Sequence, residues 1–138
     1  MISIANPSAY TFSIYVEEWT GLASGNCVDV YSLTNYAVAG SGSDNLTSGA
    51  AVTTADGDLI YGFESDTNGS GAASPGTGFT KLFGTYVPMD EYRIQSSAGS
   101  IAATWTAASG EHYGAVMIAF KAASAPSPSE DSGDATIM

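Results

Sequence analysis

Short runs in which apolar and polar residues alternate with a period of two constrain the fold of this chain most strongly. A period of two places successive side chains on opposite faces of a β-strand, whereas an amphipathic helix needs a period near 3.6 residues. No window of about eleven residues shows a convincing helical period. The alternating or apolar runs cover residues 10–16, 28–31, 46–54, 58–64, 79–83, 89–96, 99–106 and 114–121.

The residues between these runs are typical of turns. Asp56-Gly57, Asn68-Gly69, Pro75-Gly76 and Ser109-Gly110 supply residues that tolerate a positive φ or fix a turn. About seven or eight short strands with such punctuation predict an all-β fold, an antiparallel β-sandwich or jelly roll. A closed barrel is the alternative.

The length and the composition of the tail predict one domain and an arm. A chain of 138 residues has the size of a single domain. We expect a β-sandwich over residues 1–121, followed by an extended arm over 122–138. The arm is rich in Ser, Pro and acidic residues and ends in an apolar tip. We expect Ile137 and Met138 in that tip to dock on a neighbouring subunit.

Charge and residue usage exclude several functions. Three basic against fourteen acidic residues give a net charge of −11, which argues against binding nucleic acid or an anionic membrane. One cysteine, Cys27, and one histidine, His112, exclude an internal disulfide and a Cys/His zinc site. The first residues do not resemble a secretory signal, and no apolar run approaches the ~20 residues that span a bilayer. We therefore expect a soluble protein without a cofactor.

A calcium loop is possible at residues 66–71. Asp66, Asn68 and Ser70 occupy positions 1, 3 and 5 of such a loop, and Gly71 occupies position 6. Position 12, which needs a bidentate carboxylate, is Thr77. An ordinary turn explains the same residues, so we predict no metal site and leave weak calcium binding open.

The titratable residues do not predict a catalytic site. Two carboxylate pairs, Glu17-Glu18 and Asp90-Glu91, consist of adjacent residues, which point to opposite faces of a strand. Neither pair can therefore form a glycosidase site by itself, and we interpret both as solvated edge positions. We expect His112 in an exposed turn, and Cys27 as a small, at least partly buried apolar residue. The sequence predicts no catalytic residue and no enzyme.

The aromatic residues offer the best candidates for a binding surface. Trp19, Trp105 and several of the eight tyrosines could stack against sugar rings. A sandwich also buries tryptophan in its core, and Ala103 on the same face as Trp105 suggests packing there. We expect Trp105 in the core.

Several stretches together resemble a β-sandwich module that recurs in large bacterial surface proteins and in phage structural proteins. They are YVEEWTGL (15–22), DLIYGF (58–63), GTGFT (76–80), DEYRI (90–94), SAGS (97–100) and AVMIAFK (115–121). The resemblance implies a structural or adhesive module without catalytic residues. Members of that family usually have further strands before the Trp-x-Gly-Leu stretch, so a neighbouring copy could donate a strand here.

These expectations favour a non-enzymatic structural subunit of a large assembly. The interpretation we prefer is a phage virion protein, a cement, decoration or tail component, which assembles in the host cytoplasm with copies of itself and other structural proteins. The alternative is a carbohydrate-binding or adhesive module of a surface protein or extracellular filament, with glycans as partners.

Overall fold

Ten β-strands make up most of the part of the chain that the structure describes. The structure is a computed structural model, and it describes residues 15–38, 44–66, 73–83, 89–107 and 112–124. The strands are β1 (Val28–Val38), β2 (Asp44–Thr47), β3 (Ala51–Val52), β4 (Asp58–Asp66), β5 (Ser74–Pro75), β6 (Thr80–Phe83), β7 (Met89–Gln95), β8 (Ser100–Ile101), β9 (Thr104–Ala107) and β10 (His112–Phe120). The described ranges contain no helix, and so none that could cross a membrane.

Five strands form one antiparallel sheet in the order β1-β10-β4-β7-β6. Strand β4 lies at its centre and pairs with β10 on one side, Val116 opposite Phe63, and with β7 on the other, Tyr92 opposite Tyr61. Residues directly opposite each other in an antiparallel pair share a face, so these pairings fix which side chains lie together.

The remaining strands form a second layer with one β-bulge. Strands β2 and β3 pair with β9 and β8, and the register shifts by one residue between Thr47–Thr104 and Ala51–Ile101. Ser48 bridges the interruption, because its backbone N–H donates to the Ala103 carbonyl at 3.0 Å and its hydroxyl accepts the Ala103 N–H at 3.1 Å. The two short ladders are therefore halves of one strand pair, and β5 adds to the edge of β9.

The core lies between the two layers. It contains residues of both sheets: Leu46, Ile60, Ala73, Met89, Ala103, Trp105, Tyr113, Ala115, Met117 and Ala119. Trp105 from β9 is 1% exposed, so the expectation of a core position is met. The fold is thus an all-β antiparallel β-sandwich, as predicted, with ten strand segments in the described residues, or eight strands when the halves of the bulged pair are joined. The jelly-roll connectivity stays a prediction.

A glycine in the middle of β4 makes room for this tryptophan. A Cβ on Gly62 would lie 2.5 Å from the Ala103 Cβ, 3.1 Å from Trp105 Cζ2 and 3.2 Å from Glu91 Cγ. The two layers are therefore in close contact at Gly62, where any side chain would push them apart.

A buried carboxylate ties the two layers together. Glu91 is fully buried, and its two oxygens accept the backbone N–H groups of Gly76 at 2.8 Å and Thr104 at 3.0 Å. Burial raises the pKa of Glu91 to about 7, although the two hydrogen bonds act in the opposite direction. Glu91 satisfies two backbone donors where the β5–β9 ladder ends.

The large apolar side chains of the five-stranded sheet mostly lie on the face away from the core, which we call the outer face. It carries Tyr31, Leu33, Leu59, Tyr61, Phe63, Tyr92, Ile94, Val116, Ile118 and Phe120. The alternation predicted for residues 89–96 and 114–121 is found in β7 and β10. The face that packs on the core, however, carries small or polar residues such as Ala115, Ala119, Glu91 and Gln95.

The two ends of the described chain lie beside each other. Leu22 forms an isolated bridge with Ala122, and the Ala123 N–H donates to the Gly21 carbonyl at 2.8 Å. The first residues of the predicted arm are therefore paired with the start of the domain. Residues 125–138, with Ile137 and Met138, lie outside the described residues, so the arm stays a prediction.

Candidate functional site: an acid pair under the N-terminal segment

Residues 15–20, which we call the N-terminal segment, lie across the outer face without forming a strand. The Tyr15 ring is 5.8 Å from that of Phe63, and the Trp19 ring is 5.0 Å from that of Tyr92, both tilted. Aromatic pairs at such distances are attractive beyond the area that they bury. The predicted strand over 10–16 is not found in its described part, and Val16 is 72% exposed. Residues 10–14 lie outside the described residues.

A turn at Gly21 directs the chain onto this face. Gly21 has a φ of +77°, a conformation that a side chain would strain. Immediately after it, the Ala23 N–H donates to the Lys121 carbonyl at 2.9 Å, and the Lys121 N–H donates to the Cys27 carbonyl at 2.7 Å. The segment is thus joined through a glycine turn to a stretch that is hydrogen-bonded to the end of the domain.

Two carboxyl groups meet beneath the segment. Glu17 extends from the segment to Asp90 of β7, close enough for a hydrogen bond between the two carboxyl groups, and Asp90 is 1% exposed. The Tyr61 hydroxyl donates to Asp90 Oδ2 at 3.3 Å, and the Phe83 backbone N–H donates to Asp90 Oδ1 at 3.0 Å. The Trp19 side chain also lies within hydrogen-bond reach of Glu17, while no donor among the described residues reaches the buried Glu17 Oε1.

The acid pair favours the protonated form of Glu17. Burial, followed by the hydrogen bond and the charge of Asp90, raises the pKa of Glu17 to about 7, and the Trp19 contact lowers it less. Burial and the charges of Asp90 and Glu17 also raise the pKa of Tyr61. Tyr61 therefore remains a hydrogen-bond donor at any pH where the protein would be studied.

Two shallow grooves flank the segment. One, of about 230 Å³, is lined by Tyr15, Glu17, Trp19, Tyr61, Ile118 and Phe120. The other, of about 280 Å³, is lined by Val16, Glu17, Glu18, Trp19, Leu82 and Phe83. The described residues of the two linings include no basic side chain that would neutralise an ionised Glu17.

The acid pair does not have the geometry of a glycosidase. Retaining and inverting enzymes hold their two carboxyl groups about 5 Å or more apart, with the sugar or a water between them. Glu17 and Asp90 are in direct hydrogen-bond contact, and both oxygens of Asp90 accept a bond from the protein. The arrangement can bind and release a proton, and it can hold the segment on the sheet.

A second pair of acidic residues consists of Asp29 in β1 and Asp58 at the start of β4. Asp29 accepts the backbone N–H and the hydroxyl of Thr54, each at 2.5 Å, and Lys121 Nζ lies 3.5 Å from it. These hydrogen bonds lower the pKa of Asp29 to about 2. Asp58 is fully buried beside it, and burial together with Asp29 raises the pKa of Asp58 to about 6. This group joins β1 to the turn before β4.

The described residues contain no cluster of three or more His, Cys, Asp or Glu side chains that could hold a metal ion. The calcium loop considered from the sequence begins at Asp66, and residues 67–72 lie outside the described residues. It stays untested.

The interpretation of both carboxylate pairs as solvated edge positions was wrong for three of the four residues. Glu18 is exposed, but Glu17 is half-buried and Asp90 and Glu91 are buried. Adjacent residues do point to opposite faces, yet Glu17 from one pair meets Asp90 from the other. One signal was available, since two adjacent acidic residues, Asp90 and Glu91, lie between Met89 and Tyr92 inside a predicted strand.

The other candidate residues are divided between the site and the scaffold. Trp19 lies at the site, Trp105 does not, and Tyr61 was not singled out from the sequence. Cys27 is a half-buried free thiol, in line with the expectation. His112 is the first residue of β10 and not part of a turn.

Comparisons with known proteins identify no relative. No family model matches the chain, and neither the curated proteins nor the solved structures yield a match. The resemblance to surface and virion modules therefore stays a prediction.

Proposed function

We propose that this chain is a non-enzymatic structural subunit of a large assembly, a phage virion protein of the cement, decoration or tail type. The observation that carries the proposal is the outer face. Tyr31, Leu33, Phe83 and Ile94, all on the five-stranded sheet, are each more than half exposed. An apolar surface of this kind, on a sheet whose other face already packs on a core, is typical of a protein interface.

Burial of this face gives a sufficient driving force for association. Covering a large apolar side chain contributes about 1.5–3 kcal/mol. Four such residues can offset much of the cost of bringing two subunits together, which is of the order of 4–15 kcal/mol. Repetition of the contact around a lattice multiplies its effect.

The virion assignment rests on the sequence resemblance and on the arm. A solvated spacer with an apolar tip, ending in Ile137 and Met138, suits a tether to a neighbouring subunit. We place the protein in a virion assembled in the host cytoplasm, with copies of itself and other structural proteins as partners. Nucleic acid is not among the proposed partners because of the net charge of −11.

The decisive experiment measures the oligomeric state. Light scattering coupled to size-exclusion chromatography should show concentration-dependent association of the full chain. Leu33→Glu, which places a charge on the outer face, should abolish it. Val52→Glu is the matched control, because Val52 is 64% and Leu33 60% exposed, but Val52 belongs to β3 in the other layer. A monomer at all concentrations, or equal effects of both variants, would contradict the proposal.

The arm has a separate test. Because Ala122 and Ala123 pair with the start of the domain, a truncation should begin at residue 125. We expect the truncated chain to keep its fold and to bind its particle at least tenfold more weakly, the loss that ~1.4 kcal/mol produces. Unchanged binding would show that 125–138 is only a tail.

The groove beside Trp19 favours a second candidate function, binding of a carbohydrate at a cell surface or on an extracellular filament. It combines the rings of Trp19, Tyr15 and Tyr61 with the polar group of Glu17, a combination suited to a sugar ring. A glycan array should then show binding that Trp19→Ala abolishes and that Tyr31→Ala leaves intact. An array without any binding would rule this candidate out.

A further inference from the structure

The acid pair has a feature that neither proposed function uses: it is the polar link between the N-terminal segment and the sheet. The other described contacts of the segment with the outer face are the ring contacts of Tyr15 and Trp19 and the apolar linings of the two grooves. Glu17 lies between the two aromatic residues and reaches Asp90, which is buried in β7. The state of this link therefore affects whether the whole segment stays on the sheet.

The hydrogen bonds assign the shared proton to Glu17. Both oxygens of Asp90 accept a bond from a group that keeps its proton, the Tyr61 hydroxyl and the Phe83 N–H. Asp90 therefore acts as an acceptor through both of its oxygens. A hydrogen bond between the two acids then requires the proton to lie on Glu17, so the link exists only while Glu17 is protonated.

An ionised Glu17 would be poorly accommodated in this position. Its Oε1 is buried without a donor, and a buried charged oxygen without a hydrogen bond is costly. Among the described residues, the titratable groups that face it are Asp90 and Tyr61 from the sheet and Glu18 from its own segment, and none of these three is a cation. Strands β6 and β10 present only apolar side chains to the grooves, namely Leu82, Phe83, Ile118 and Phe120.

We propose that Glu17 and Asp90 form a pH-operated lock that holds residues 15–20 on the outer face while they share a proton and releases them when both are ionised. Gly21 is the pivot, since its positive φ lies between the docked segment and the hydrogen-bonded stretch after it. Release uncovers Tyr61, Phe63 and Tyr92, which enlarges the apolar area of the outer face. The lock does not depend on either proposed function.

The direction and the size of the pH effect on docking follow from the linkage between docking of the segment and proton binding by Glu17. The pKa of Glu17 is about 7 when docked and 4.5 in the ordinary state. Below pH 4.5 docking is independent of pH, and between pH 4.5 and 7 it weakens by up to about tenfold for each pH unit. Above about pH 7 the loss is complete. The segment is therefore docked in acid and released in mild base.

Acrylamide quenching of tryptophan fluorescence tests the lock on the full chain. The chain has two tryptophans, and Trp105 is buried, so the accessible emission comes from Trp19. A neutral quencher avoids repulsion by the acidic protein. We expect the quenching constant to rise at least twofold between pH 5 and pH 8.5, while a protected fraction from Trp105 shows that the fold persists.

Two variants separate the lock from other titrations. Glu17→Gln keeps a hydrogen-bond donor that cannot ionise, so quenching should stay low at both pH values. Glu18→Gln is the matched control, because Glu18 is the exposed neighbour, and it should behave as the native chain does. Glu91 has a raised pKa in the same range but faces the core. Any contribution of Glu91 to the pH dependence of quenching would therefore remain in Glu17→Gln.

Three results would overturn the proposal. The first is flat quenching of the native chain across this range, and the second is a pH dependence that survives in Glu17→Gln. The third is high quenching of Glu17→Gln at both pH values, which would show that the neutral side chain does not close the lock.

Discussion

Replacement of Gly62 by alanine should destabilise the protein by overpacking the contact between the two layers. The new Cβ would lie 2.5 Å from the Ala103 Cβ, closer than real Cβ atoms approach, and 3.1 and 3.2 Å from Trp105 Cζ2 and Glu91 Cγ. The Ala103 methyl cannot rotate away, because it is fixed to the backbone of the facing layer. The two layers must therefore separate locally.

The magnitude follows from the usual cost of overpacking. An extra methylene in a well-packed core costs about 1–3 kcal/mol, and three simultaneous close contacts place Gly62→Ala at the upper end, at about 3 kcal/mol. Chemical denaturation should show this loss as a lower midpoint. In thermal unfolding it corresponds to a decrease in the melting temperature of roughly 10 °C.

Two companion variants test the cause. In Gly114→Ala, in the neighbouring strand β10, the new methyl group would lie 3.7 Å from the Thr34 carbonyl oxygen, an ordinary contact, and stability should change by less than about 1 kcal/mol. Ala103→Gly removes the closest contact of the new methyl group. The double variant Gly62→Ala/Ala103→Gly should then be more stable than the sum of the single changes predicts, by about 1 kcal/mol or more. Strict additivity, or a neutral Gly62→Ala, would refute the packing argument.

Three further predictions concern buried groups. Because the pKa of Glu91 is raised from 4.5 to about 7, its contribution is fully present below pH 4.5 and decreases as the pH rises through 7; denaturation curves should lose about 3 kcal/mol over this range, and Glu91→Gln should reduce the slope. The lowered pKa of Asp29, about 2, acts oppositely: its stabilisation is present above pH 3.8 and lost on acidification towards pH 2. Asp29→Asn should therefore cost about 1–2 kcal/mol at pH 5 and little at pH 2, whereas an equal cost at both would contradict the assignment. Trp105→Ala should lose about 3–5 kcal/mol in the same assay, and Trp19→Ala less than half as much, since Trp105 lies in the core and Trp19 on the outer face; equal losses would contradict this difference in burial.

The local pattern was sufficient to predict the fold class. Period-two alternation and glycine-containing turns specify strands and their ends through nearest-neighbour geometry, which a sequence displays directly. The exclusion of an internal disulfide follows from the single cysteine, and the burial of Trp105 was predicted from Ala103 on the same face of its strand. These features need no knowledge of which strands pair.

Which face of the five-stranded sheet packs against the core could not be predicted from the local pattern. The alternation in β10 places Val116, Ile118 and Phe120 on one face of the strand and the smaller or unbranched Ala115 and Met117 on the other. It does not show which of the two faces packs against the second layer. At Gly62 the layers are so close that a Cβ would meet Ala103 and Trp105, and the core face of the neighbouring β10 carries Ala115, Met117 and Ala119. The larger side chains of β10 lie on the outer face. The packing between the two layers therefore determines which face of the five-stranded sheet is buried.

The acid pair depended on tertiary structure even more strongly. Glu17 and Asp90 are 73 positions apart in the sequence, and each was considered only with its adjacent acid. Their contact requires the turn at Gly21, the pairing of residues 22–23 with 121–122 and the outward orientation of Asp90 in β7. A sequence determines which groups can carry a proton, whereas the environment that raises or lowers a pKa is assembled only when distant segments meet.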